Sequence, residues 1–166
     1  MVREVLRYPH PALKAVARPL APGEREEAAR VAADLVDTMA AFGHCVGLAA
    51  TQLGELVRIV VVDVSQHPKA ASSNGRLVLV NPRIAHAAGA EVGREGCLSI
   101  PELTANVRRA TTVEVEWAEG TVRAEGFEAR CLQHELDHLD GLLFLDRVDS
   151  LTADVFRRKR RGSGRP

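Results

Sequence analysis

The stretch His134-Glu135-Leu136-Asp137-His138 holds half of a catalytic metal site in its spacing. Histidines four apart stand one helical turn above each other, so both imidazoles can reach one ion. Glu135 is turned about a third of a revolution from His134 and so stands beside such an ion rather than on it. A carboxylate there can take the proton of a metal-bound water. A centre of this kind needs a third protein ligand and one open position. In the HExxHxxGxxH pattern the third ligand comes downstream; here Gly141 falls in register, but the last position is Phe144, which cannot bind metal. No glutamate follows Glu135, and Asp140, Asp146, Asp149 and Asp154 stand in no ligand-like motif. Elimination points upstream, to a cysteine.

The three cysteines are Cys45, Cys97 and Cys131. An odd number without paired spacing, and no apolar leader, argue against a disulfide framework and for a reducing cytoplasm. Cys131 lies three residues before His134, too far along the helix axis to share its ion, and is expected on a pocket floor or in the core. Cys45 follows Gly43 at a helix end. Cys97 sits in Glu95-Gly96-Cys97-Leu98-Ser99, where a strand end could turn a thiolate toward the helix. On spacing alone, a metal ligand and a buried structural cysteine both remain open for Cys97.

Three segments together resemble the peptide deformylase family. They are Cys45-Val46-Gly47-Leu48-Ala49-Ala50-Thr51-Gln52, Glu95-Gly96-Cys97-Leu98-Ser99 and Gln133-His134-Glu135-Leu136-Asp137-His138, in the family's order and at similar separations. The resemblance begins with Leu6-Arg7-Tyr8-Pro9 and runs to about Val148. It implies that Cys97, His134 and His138 hold a divalent metal, with water as fourth ligand. Metal-bound water would attack the formyl carbon while Glu135 serves as general base and then acid. The Gln52 side chain and the Leu98 backbone N–H are implied as oxyanion donors. Substrates would be N-formylmethionyl nascent peptides and the products formate and a free amine. Val46, Phe127 and Cys131 are implied as walls of the methionine pocket, and Gly47 as the residue whose backbone pairs with the peptide. Sulfur with two imidazoles suits zinc, iron, nickel or cobalt, and the resemblance implies Fe2+ in cells.

Two departures from the family pattern stand out. Cys45 occupies a place usually held by glycine, where a side chain could narrow the channel or shift the Gln52 loop. Glu102-Leu103-Thr104 runs past the place where an arginine or tyrosine often meets the peptide.

These residues must be positioned by one domain. With 166 residues and a formal net charge of zero, the chain can bury a core and has no general attraction for DNA or membrane. Ala28, Val31, Leu35, Met39 and Phe42 make one apolar stripe, predicting a helix over 24–42 that stops at Gly43. Strands are expected over 57–64, 77–80 and 112–117, with a hairpin return from Gly120 to Phe127. The metal-bearing helix should span 128–140 and end at Gly141. Strands in runs with segregated helices indicate an α+β fold, with antiparallel or mixed sheets around that central helix.

Residues 1–148 are read as one catalytic domain, followed over 149–166 by a short helix from Leu151 to Arg158 and a basic tail. Its cations, Arg157 to Arg161, could contact ribosomal RNA near the peptide exit. Competing readings are a hydrolase of a different formylated amine, a zincin-type endopeptidase and a closed structural metal site. The missing downstream ligand disfavours the endopeptidase. A closed site would leave Glu135 and Gln52 without a task.

Overall fold

The computed structural model describes residues 1–159. Extended chain interrupted by a 3-10 turn at Pro11–Lys14 leads to helix α1, Arg25–Ala41. Strand β1, Gly47–Ala49, runs into a 3-10 helix, Ala50–Leu53, that carries Gln52. Strands β2 (Ile59–Val62), β3 (Leu77–Val80), β4 (Arg83–Ala88), β5 (Glu91–Cys97) and β6 (Ile100–Arg109) follow. The hairpin β7 (Thr112–Trp117) and β8 (Gly120–Glu125) then feeds directly into helix α2, Gly126–Leu139. The run expected as a strand over 57–64 is regular only across β2, although Val57 and Val64 beside it are also buried.

The chain closes differently from expectation. The segment from Leu151 to Arg158, read as a short helix, is a turn followed by strand β9, Val155–Arg157. Strand β9 pairs with β6 through Leu103↔Arg157, Thr104↔Phe156 and Ala105↔Val155. The open edge of β6 gives its backbone partners, whereas a helix of only eight residues over 151–158 would be marginal on its own. Val155–Arg157 therefore extend the β5-β6 sheet instead of forming part of a C-terminal helix. Arg160 to Pro166, which carry the rest of the basic tail, lie outside the described residues.

The described residues form three antiparallel sheets, in orders β1-β2-β3, β4-β7-β8 and β5-β6-β9. Strand β2 lies between the helices, and its period-2 alternation divides its side chains between them. Val60 and Val62 pack with Leu132, Leu136 and Leu139 of α2. Ile59 and Val61 pack with Val31, Leu35 and Met39 of α1. Full burial of each aliphatic side chain contributes about 1.5–3 kcal/mol, so β2 anchors both helices. Helix α2 stops at Gly141, whose φ is +73°. A Cβ there would also lie 2.5 Å from the Lys14 carbonyl oxygen, so the N-terminal segment can seal the helix end only against glycine.

Candidate metal centre and active site

Every residue of α2 from Glu128 to Leu139 is buried, polar ones included. An all-round buried helix with two histidines, three carboxylates and an arginine must satisfy those groups internally. Its leucines pack on β2, while Arg130, His134 and Asp137 meet Glu95 of β5 and Arg109 of β6, and Glu128 binds Asn74. His134 and His138 project together from that polar side, with ring centroids 5.1 Å apart.

Cys97, the last residue of β5, meets them. Its Sγ lies 3.4 Å from His138 Nε2, and one ligand atom from each of Cys97, His134 and His138 lies within 4.8 Å of the others. Burial pushes the Cys97 thiol pKa up, but His138 and His134 outweigh it and hold it well below its usual value. A buried thiolate converging with two imidazoles is a donor set that fits a late first-row divalent metal. Spacing alone leaves Cys97 open between ligand and core residue; the fold brings its thiol together with both imidazoles. Phe144 is 1% exposed and stacks beside His134 at 6.1 Å, so the position of the missing downstream ligand is an apolar wall of the centre.

Behind His134 lies a polar network that the sequence reading did not single out. His134 Nδ1 is 2.8 Å from Glu95 Oε1. Arg109 grips Glu95 through two bonds of 2.9 and 3.0 Å, and Arg130 adds a third of 2.9 Å. Burial disfavours the Glu95 carboxylate, but His134 and Arg109 outweigh it and hold its pKa at about 2. Glu95 is therefore an acceptor, His134 Nδ1–H donates, and the Nε2 lone pair is left for a metal. Arg109 continues to Asp137 at 2.6 Å, which also accepts from Arg147 at 2.9 and 3.1 Å. Alternation offered one signal for this arrangement: Glu95 and Cys97, two apart on a strand, share a face.

Glu135 faces the cavity from the turn beside His134. Its Oε2 is buried without a hydrogen-bond partner among the described residues, and burial pushes its pKa up. Gly47 abuts its other edge: a Cβ at that position would lie 2.7 Å from Glu135 Oε1 and 2.9 Å from Cγ. Glycine is required there by Glu135 itself, which goes beyond the peptide-pairing reason expected from the sequence.

Gln52 is 2% exposed and fixed at both ends of its amide. Its Oε1 accepts from Ala49 N–H at 3.0 Å; its Nε2 donates to Ser99 Oγ at 3.1 Å and approaches Cys97 Sγ at 3.5 Å. The donor end thus faces the centre. Leu98 occupies the two-residue turn Leu98-Ser99 joining β5 to β6, directly after the thiol.

Val46, Gly47, Gln52, Cys97, Leu98, Phe127, Cys131, His134 and Glu135 all line one cavity of about 260 Å³. His138 is 1% exposed and completes the donor set with Cys97 and His134. Phe127 is held by a stacked His67, with centroids 4.3 Å apart. Cys45 lines the wall as well, but its thiol donates to the Gly47 carbonyl at 3.1 Å, and Gln52 keeps its bonds. Burial pushes the Cys45 thiol up to about 12 and the Cys131 thiol higher still. Both stay protonated near neutrality, and neither competes with Cys97 as a thiolate.

The chain has relatives that share this pattern. The polypeptide deformylase family model matches residues 2–154. The peptide deformylase of Alkalilimnicola ehrlichii is 40% identical over 95% of this chain and 88% of its own. That of Dictyoglomus thermophilum is 40% identical over 89% of this chain and 94% of its own. Among solved structures, the Met-Ala-Ser-bound class I type b peptide deformylase of Acinetobacter baumannii superposes with a TM-score of 0.80. It is 34% identical, over 89% of this chain and 99% of that one. A peptide deformylase from Legionella pneumophila gives 0.79 at 35% identity, over 91% and 88% of the two chains. Nearly full-length matches, at these identities and with one fold, mean that the chain belongs to the polypeptide deformylase family of metal-dependent hydrolases, which remove the N-formyl group from nascent polypeptides.

Proposed function

We propose that the Cys97, His134 and His138 centre hydrolyses the formyl amide of N-formylmethionyl peptides, with Glu135 moving the proton and Gln52 and Leu98 holding the oxyanion. The observation that carries this reading is the unpartnered, buried Oε2 of Glu135 beside three converging metal donors. Bound by those donors, a divalent metal would act as a Lewis acid that lowers the pKa of water and polarises the formyl oxygen.

The remaining work falls to the chain. Glu135 Oε2 accepts a proton as water attacks the formyl carbon. The same oxygen then returns it to the departing amine nitrogen; its raised pKa suits both steps. Gln52 Nε2 and the Leu98 N–H donate to the developing oxyanion. Because the Gln52 amide is already oriented by Ala49 and Ser99, it needs little reorganisation. Val46, Phe127 and Cys131 accept the methionine side chain in the apolar part of the cavity. Strands β1 and β5 are both sheet edges, and both contribute to this cavity, so an extended peptide has free backbone partners on either side.

For the metal we propose ferrous iron, with zinc, nickel or cobalt able to take its place at a sulfur and two imidazoles. The enzyme would work in the cytoplasm, where its free thiols stay reduced. Ribosome contact through the basic C-terminal run is part of the same reading. Removing everything after Phe156 should weaken ribosome co-sedimentation in a salt-dependent way, and unchanged binding would exclude that contact.

The primary test is formate release from formyl-Met-Ala-Ser by anaerobically purified, iron-loaded protein beside Glu135→Ala. Release that disappears in the variant supports the reading. Release from neither, with metal bound, overturns it.

A further inference from the structure

The mouth of the cavity carries cations that the chemistry above does not use. Lys69, Arg94 and Arg158 all contribute to its wall and all are exposed. The carboxylates that share the wall are Glu95 and Glu135, both buried. Glu95 is already engaged by Arg109, Arg130 and His134. Among the described residues, none of Lys69, Arg94 and Arg158 forms an ion pair.

Two of these cations are held in place. Side chains alternate along β5, so Glu95 and Cys97 point inward while Arg94 and Gly96 face outward. Arg94 donates to Asn106 Oδ1 at 3.0 Å and Thr104 Oγ1 at 3.3 Å, and lies 3.9 Å over the Phe156 ring. Strand β9 then delivers Arg158. Its backbone N–H binds the Glu102 carbonyl at 2.7 Å, and its guanidinium covers Gly96, where a Cβ would overlap it. Two guanidinium groups are thus brought to one outward face, one over a neutral ring and one over a residue without a side chain. Like charges placed together without a counter-charge favour an anionic partner.

We infer that Arg94 and Arg158 form an anion-accepting rim that selects formyl-peptides carrying acidic residues shortly after the methionine. This rests on the deformylase reading of the site. Distance sets the position: an extended chain advances about 3.3 Å per residue, and Arg94 stands three residues from Cys97 along β5. A peptide whose formyl group lies at Cys97 and whose chain follows the β5 edge brings its third and fourth residues to the rim. Those residues would meet two planar donors suited to carboxylates. The family pattern puts a cation or tyrosine on the segment occupied here by Glu102-Leu103-Thr104. In this chain the positive charge comes instead from β5 and from the C-terminal strand.

The test compares C-terminally amidated formyl-Met-Ala-Xaa-Xaa peptides with Xaa as Glu, Gln or Lys, at low ionic strength. The wild type should favour Glu over Lys in kcat/KM by about tenfold, as expected for two exposed charge pairs. About 0.5 M salt should erase most of that preference. In the double variant Arg94→Gln/Arg158→Gln the ratio should fall to about one, and in Arg94→Glu/Arg158→Glu it should invert, with the change carried by KM. Because the ratio is read within each variant, partial misfolding cancels, and an inverted preference cannot arise from damage. Calorimetric binding of the deformylated peptides reads the same ratio without turnover. If no peptide releases formate, the deformylase reading fails while the binding ratio still judges the rim. A wild-type ratio near one, or a ratio unchanged in the double-Gln variant, overturns the rim.

Discussion

The two sides of His134 are built on opposite principles. Behind it, buried Glu95, Arg109, Arg130 and Asp137, with Arg147 closing the chain at the surface, form a polar network in which each charge meets its opposite. In front, the Glu135 carboxylate has an unpartnered oxygen, and Arg94 and Arg158 present guanidinium groups with no ion-pair partner among the described residues. The charges at the back are matched among themselves; the front keeps a buried carboxylate oxygen without a partner and exposed cations without a counter-charge among the described residues. Such a division separates stability from activity within a few ångströms of one imidazole. The back fixes which nitrogen of His134 is free, and the front keeps that nitrogen's surroundings available for chemistry.

Changes on the two sides should therefore fail in different ways. The largest loss of activity is expected from Glu135→Gln, about 10²–10⁴-fold in kcat for removal of a general base. Its Tm should hold or rise, because a neutral amide replaces a carboxylate that burial already disfavours. The reverse applies behind the ring. Glu95→Ala leaves Arg109 and Arg130 without their shared carboxylate and should cost about 3–5 kcal/mol in thermal or urea unfolding. Metal affinity should fall by about 10–100-fold through the loosened His134 ring. If Glu135→Gln unfolds as readily as Glu95→Ala, the division does not exist. Gln52→Leu belongs to the front: about 10²–10³-fold in kcat, with KM nearly unchanged, measured on formyl-Met-Ala-Ser. A change confined to KM would make Gln52 a binding residue instead.

The same contrast explains what could be read in advance. The front was legible because its residues sit in short runs: Gln52 in a small-residue loop, Cys97 in a glycine-marked strand end, and His134, Glu135 and His138 within one helical turn of each other. Strand β2 was legible as an apolar run and helix α1 from its apolar stripe, both of which local sequence carries directly. The back was not, because Glu95, Arg109 and Arg147 come from three elements distant in sequence from one another and from Arg130 and Asp137 of α2. Charged residues of this kind are ordinarily on the surface. Only tertiary packing pairs them. Strand β9 escaped for a related reason: Leu151, Val155 and Phe156 fit a helical spacing, yet the deciding partners, Leu103 to Ala105, lie far away in the chain. That error mattered, since it hid the delivery of Arg158 to the cavity mouth.

A third region sets the lower end of the scale. Glu55 lies just beyond the 3-10 helix of Gln52, and its N–H binds the Ala50 carbonyl at 3.1 Å. Arg30 of α1 reaches its two oxygens at 2.9 and 3.3 Å, and Arg3 adds a contact at 3.3 Å. The bond from Arg30 lowers the Glu55 pKa against the opposing effect of burial, and Arg3 lowers it further. A carboxyl whose folded pKa lies below its unfolded value stabilises the fold above the unfolded pKa, and that contribution disappears as pH falls through the folded one. Arg30 is half exposed, so solvent screening keeps the contribution small. Glu55→Gln should lower Tm by about 1–3 °C at pH 7, and the gap to wild type should narrow as pH falls through and below the ordinary carboxylate range. Activity should change little, because Gln52 is held by Ala49 and Ser99 rather than by Glu55. A gap that persists undiminished at pH 3 would mean that Glu55 acts through packing rather than charge. A large loss of kcat would extend the front of the site to this outer ion pair.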